Sequence, residues 1–285
     1  MVRSASQGWG AGAGLRGTTD RSVRTTTPAG RLLGYAGREF VRTVRLVEST
    51  FFTVVLPVAL YLMFGALSDW GDQPLGHGDV SAYTMTGMAV YGAVMATTSI
   101  AGSAAVERQT GWGRQLSLTA LTPGAYLAGK CLVALATAAL PVVAVFTAGA
   151  LTGAQLDTAG TWAATGVLAL VSSLPFALFG LAAALLFRSE AAVSAASGML
   201  VVFGFLGNLF VPLEGIMLEI GRFTPVYGAG VLARWPQLEG DLAQMGPGAA
   251  PAGDPLWLPL VNLAAWTIVF ALICLVAARS RTARA

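Results

Sequence analysis

The chain has 285 residues, 55% of them hydrophobic and only 11% charged, against about 25% charged in an ordinary soluble domain. That composition excludes a water-soluble fold and fits a chain that crosses a membrane several times. Its 17 basic and 14 acidic residues leave a net charge of +3, and the arginines gather at the ends of apolar runs rather than on one basic face, so no nucleic-acid partner is expected.

Residues 1–30 are rich in Gly, Ser, Thr and Arg with no apolar core. They read as a disordered cytoplasmic tail rather than a signal peptide. Over 31–48, Leu33, Ala36, Phe40, Val44 and Val47 recur at helical spacing while Arg38, Arg42 and Arg45 fall on the other side. This pattern predicts an amphipathic helix lying in the membrane interface, anchored by the three arginines. A plain cytoplasmic extension of the first span is the alternative.

Six apolar runs follow, at about 49–67, 83–106, 125–152, 161–187, 190–211 and 256–278. Each is long enough to cross a bilayer, which takes about 20 residues of helix. The fold class is therefore an all-α membrane protein with six transmembrane helices, the third, fourth and first of them kinked at Pro141, Pro175 and Pro57. Charge sets the orientation. With both termini cytoplasmic, fifteen of the 17 basic residues lie inside and only Arg222 and Arg234 outside; the reverse would oppose the positive-inside rule. Cys131 and Cys274 sit inside apolar runs and read as small core residues.

The cytoplasmic stretch 107–130, "ERQTGWGRQLSLTALTPGAYLAGK", is long enough for a short helix before Pro123 stops it. Trp112, Leu116 and Leu118 could pack against a cytoplasmic partner; a plain connecting loop is the alternative. Within it, Gly124 to Cys131, "GAYLAGKC", is one residue short of a phosphate-binding loop. Cysteine is a poor ligand for magnesium, and no strand precedes Gly124, so the motif fails on chemistry and on context. Lys130 instead reads as an interfacial anchor whose ammonium snorkels to the cytoplasmic surface. Glu107 reads either as a latch pairing with Arg108 or Arg114 or as a carboxylate capping the following turn.

Other polar residues are candidates for a pathway. Thr97, Thr98, Ser99 and Ser103 give the second span a polar run, which either lines a passage or bonds its own backbone. Asn208, Glu214, Glu219 and Arg222 surround the outer end of the fifth span. If 213–222 turns back into the membrane, Glu214 and Glu219 line an exit; otherwise the segment is a solvated loop. His77 lies in the first external loop near Asp72 and Asp79, too few ligands for a metal site. The external loop at about 236–255, rich in Pro and Gly, reads as flexible.

Glu107-Arg108, Gly111, Leu116, Leu118, Thr122-Pro123 and Lys130 together resemble the E-R-x-x-G…L…T-P…K pattern of the type-2 ATP-binding-cassette (ABC) exporter permeases, a class that includes drug-resistance permeases of antibiotic producers. The stretch "FVPLEGIMLEIGRFTPVYGAGVLAR" resembles the segment that follows the family's fifth span, although Ile216-Met217 stands where the family often has Met-Pro. The resemblance implies short re-entrant helices between spans five and six. It also implies a second permease copy and a separate ATPase subunit, which carries the ATP and magnesium and receives Glu107, Arg108, Gly111, Trp112, Arg114, Leu116, Leu118 and Pro123 as a coupling loop. The cargo it implies is an amphipathic or lipid-like molecule moved outward through the cell membrane, with no cofactor in this chain. A non-transporting anchor or sensor subunit of the same fold is the other reading.

Overall fold

A computed structural model describes residues 27–46, 50–109, 123–187, 189–241, 243 and 253–282. The described residues are helical apart from turns and two isolated bridges. Residues 110–122 and 244–252 lie outside the described residues, and with them Gly111, Trp112, Arg114, Leu116 and Leu118.

Helix α1 spans Pro28–Val44. Thr27 accepts from the Gly30 amide at 3.2 Å and Pro28 opens the first turn, two signals that start a helix here. Its buried side is not the simple apolar stripe the spacing implies. Ala36 packs on Ile100, Val133 and Ala134, and Thr43 is buried, whereas Leu33 and Val41 point outward.

Among the described residues, six apolar segments and two further helices follow. The first, α2, covers Phe51–Ala66 and is π-helical at Phe51–Val55 and Leu62–Ala66, with an α-helical centre around Pro57. Pro57 cannot donate a backbone bond, and the chain before it widens to i→i+5 bonding. The next are α3 (Val80–Gln109) and α4 (Pro123–Thr152). The fourth run is broken into α5 (Ala159–Ser173) and α6 (Pro175–Phe187). Then come α7 (Glu190–Leu206), the short α8 (Gly215–Gly221) and α9 (Pro225–Leu238), and finally α10 (Trp257–Thr282). Four of the apolar segments are long enough to cross a membrane: α3, α4, the α5–α6 pair and α10; α2 and α7 are shorter.

Two boundaries differ from those the sequence predicts. The fifth run stops at Leu206 rather than near 211, because Asn208 adopts a left-handed φ of 58° and its Oδ1 accepts from the Leu213 amide at 2.7 Å. At the other side, Pro236 is not loop but the last turn of α9, which ends at Glu239 with φ 52°.

Helix α3 is the centre of the bundle. In its apolar stretch 78% is buried within the chain, against 39%, 33% and 22% for the other three long segments. It touches every other apolar helix except α10 closely, and α10 packs on α6 and α9. Where α2, α3 and α4 meet, Gly92 is required: a Cβ there would lie 2.4 Å from Pro141 Cβ and 2.9 Å from the Thr53 carbonyl. The outer faces of α10 and α4 expose Leu260, Val261, Ile268, Leu272, Val276 and Val143, an apolar belt that suits lipid contact. The chain is an all-α membrane protein.

Candidate functional site

At one end of the bundle the ends of three helices are joined by charge. Glu39 comes from α1, Glu107 from the last turn of α3 and Lys130 from the third turn of α4. The Lys130 ammonium donates to Glu39 Oε1 at 2.8 Å and to Glu107 Oε2 at 2.7 Å. Arg42 donates to the same two carboxylates, at 2.7 Å to Glu39 and 2.6 Å to Glu107. The Lys130 side chain is only 8% exposed, so its ammonium ends between two carboxylates rather than in open solvent. Arg42 is 60% exposed, and its bond to Glu107 raises its pKa further above the ordinary value.

The structure pairs Glu107 with Lys130 and Arg42; the side chains of Arg108 and Arg114, the partners expected from the sequence, lie outside the described residues. Glu39 and Lys130 are 91 residues apart, a pairing that no local spacing could reveal. Arg38 and Arg45 lie on the exposed side of α1. The "GAYLAGKC" stretch is helical from its first residue, inside α4, with no strand among the described residues. A phosphate loop also needs a free lysine, and here Lys130 is committed to Glu39 and Glu107.

The opposite end is built differently. Asp254, whose side chain is 2% exposed, accepts from Arg222 at 2.7 Å and from the Tyr227 hydroxyl. Arg222 also reaches Glu219 at 2.5 Å. Burial works against the Arg222 charge, yet Tyr227 and Asp254 beside it hold its pKa above the ordinary value. Burial, reinforced by Asp254, pushes the Tyr227 phenol up. Asn262 of α10 completes the tie: its amide donates to the carbonyls of Arg222 and Thr224 at 2.8 and 3.1 Å, and its oxygen accepts from Gly228 at 3.2 Å. Glu214 stays exposed before α8.

Arg234, 3% exposed on α9, bonds carbonyls of two separate segments. Nε donates to Tyr83 at 3.2 Å, and the two terminal nitrogens donate to Asn208 at 2.8 Å and Leu209 at 2.7 Å. Gln237, one turn on, donates to the Asp79 carbonyl at 2.8 Å, and Asp79 caps α3 by accepting from Ala82 at 2.6 Å. His77 sits at the rim of this end between Asp157 at 3.1 Å and Glu239 at 3.5 Å, not beside Asp72 and Asp79. Sequence reasoning missed Asp254, Tyr227, Asn262 and the role of Arg234. A lone amide in an apolar run and an isolated arginine between two apolar runs were the signals available.

Thr97 and Thr98 are both fully buried in the middle of α3. Their hydroxyls donate to Ser173 at 3.0 Å and Phe176 at 3.2 Å, the carbonyls on either side of the Pro175 break. These hydroxyls satisfy a proline-broken helix; Gly180 lets that helix approach so closely that a Cβ there would lie 2.0 Å from the Thr98 carbonyl.

These features define a polytopic helical membrane protein whose polar side chains bind helix ends to one another. Residues 72–277 match the ABC-2 family transporter protein family, and the chain belongs to that family. It is a membrane-spanning permease component of an ABC transporter. Helices α1 and α2 lie before the matched region, so the Glu39–Lys130 tie joins a preceding helix to the family domain. No curated protein matches the chain.

Proposed function

We propose that the chain is the permease subunit of an ABC exporter that moves an amphipathic small molecule or lipid-like substrate outward across the cell membrane. Two copies work together, both termini are cytoplasmic, and ATP with magnesium is bound and hydrolysed on a separate ATPase subunit. The observation that carries this reading is the charge network at the two helix ends that flank residues 110–122. A partner that docks on that connection pulls directly on Glu107 and Lys130, which are tied to each other at 2.7 Å and to α1 through Glu39. Arg38, Arg42, Arg45 and Lys130 lie at that end, and the positive-inside rule favours the cytoplasm for it. At the opposite end α8 and α9 form a cap whose Glu214 and Glu219 face outward, a suitable mouth for an exit.

The test is ATP turnover by the purified permease–ATPase complex in liposomes, titrated with lipids and amphipathic dyes. Export requires that a transported compound change the turnover and accumulate across the bilayer. A complex whose turnover ignores every such compound, and which moves none, is an anchor or sensor instead.

A further inference from the structure

Arg234 is a buried cation on α9. It is 3% exposed, and no carboxylate among the described residues pairs with it. A buried charge without a counter-ion is costly, so its contacts must compensate. Three of its N–H groups point at carbonyls, one on α3 and two just beyond the end of α7. Its Cζ lies 3.7 Å from the centre of the Tyr83 ring, and the Tyr83 hydroxyl donates to the Asn208 carbonyl at 3.5 Å. The carbonyls at the C-terminal end of a helix carry partial negative charge, which favours a cation there. Gly87 leaves room for this fork: a Cβ would lie 2.3 Å from the guanidinium and 2.4 Å from the Leu209 carbonyl. Burial lowers the pKa of Arg234, in keeping with the desolvation its contacts offset.

Helix α3 carries Tyr83 near one end and Glu107 at the other, 24 residues and about 36 Å apart at helical rise. Among the described residues it is thus the long helix that belongs to both networks, the Lys130 tie through Glu107 and the cap through Tyr83. We infer that Arg234 is a positioning residue: it clamps the α9 cap and the end of α7 to α3, so that displacement of the Glu107 end of α3 is felt at the cap. A lysine cannot take its place, because one ammonium does not span three carbonyls as a planar fork does. The inference deepens the export reading by naming how the two ends communicate.

The test is a double-mutant cycle on the full chain in nanodiscs, with Cys131→Ser and Cys274→Ala as background. The reporter is Val231→Cys, which lines the small cavity shared by Tyr83, Asn208 and Arg234. Its rate of modification by a maleimide is measured in the background, with Glu107→Gln, with Arg234→Gln, and with both. Glu107→Gln is expected to change the rate about threefold or more, the lower range for coupled residues, and to have no further effect once Arg234→Gln is present. Effects that simply multiply, or a Glu107→Gln rate equal to the background, overturn the inference; a purely structural arginine gives the multiplying result. If Arg234→Gln does not yield folded protein, the same cycle with Arg234→Lys decides, and it too must abolish the coupling. The cycle uses neither an ATPase nor a transported compound, so its failure leaves the export reading standing, and failure of export leaves the cycle readable.

Discussion

The two ends of the bundle solve the same problem with different chemistry. At the Lys130 end, two cations face two carboxylates among the described residues, and one arm of the network, Arg42, is 60% exposed. At the Asp254 end the anion is 2% exposed and the neighbouring Arg234 is satisfied by carbonyls rather than by a carboxylate. Exposed ion pairs are weak and screened by salt, whereas a buried hydrogen-bonded charge fixes geometry because removing a partner strands the other. The first end is therefore suited to being rearranged by a partner, and the second to holding a shape.

Three substitutions sharpen that contrast, from the largest effect to the smallest. Asp254→Ala strands Arg222 and Tyr227 together and should lower the unfolding free energy by about 4 kcal/mol, read as a large drop in melting temperature in detergent. A loss as small as that of an exposed pair would show that the cap does not depend on its buried anion. Lys130→Ala removes the buried cation between Glu39 and Glu107 and leaves the exposed Arg42 bonded to both. It should cost about 3 kcal/mol, far more than a lysine that merely snorkels. Arg42→Ala removes the exposed arm of the same network and should cost less than about 1 kcal/mol, with the difference from wild type shrinking further in high salt. Equal losses for Lys130→Ala and Arg42→Ala would mean that burial does not separate the two cations.

The helices were legible in the sequence because each apolar run is long and bounded by charge or by Pro and Gly. The break at Pro175 was legible for the same reason: proline leaves a fixed mark on a helix. The ends of the fifth run and of α9 were not, since they depend on Asn208 and Glu239 adopting left-handed conformations that residue type only permits. The site was read in pieces. Lys130 and Glu107 stood out at the ends of apolar runs, but the partner that joins them to α1, Glu39, is 91 residues from Lys130. Asp254 lies at the edge of a Pro- and Gly-rich stretch with no periodicity, 32 residues from Arg222, so nothing local marked it as a buried anion. Thr97 and Thr98 carried a visible polar signal whose meaning, two carbonyls beside a proline on another helix, required the fold.

The central part of the proposed function is that a separate ATPase docks on the connection between α3 and α4. Arg114→Glu reverses a charge and Leu118→Asp replaces an apolar side chain with a carboxylate on that connection, and both leave Glu107 and Lys130 unsubstituted. The most direct measurement is co-purification of the ATPase subunit with the tagged permease, for wild type and for both variants, with the amount of permease in the membrane fraction as control. The account predicts that both variants insert at wild-type levels, lose most of the bound ATPase and lose export. Wild-type recovery of the ATPase and wild-type export in both variants would contradict it.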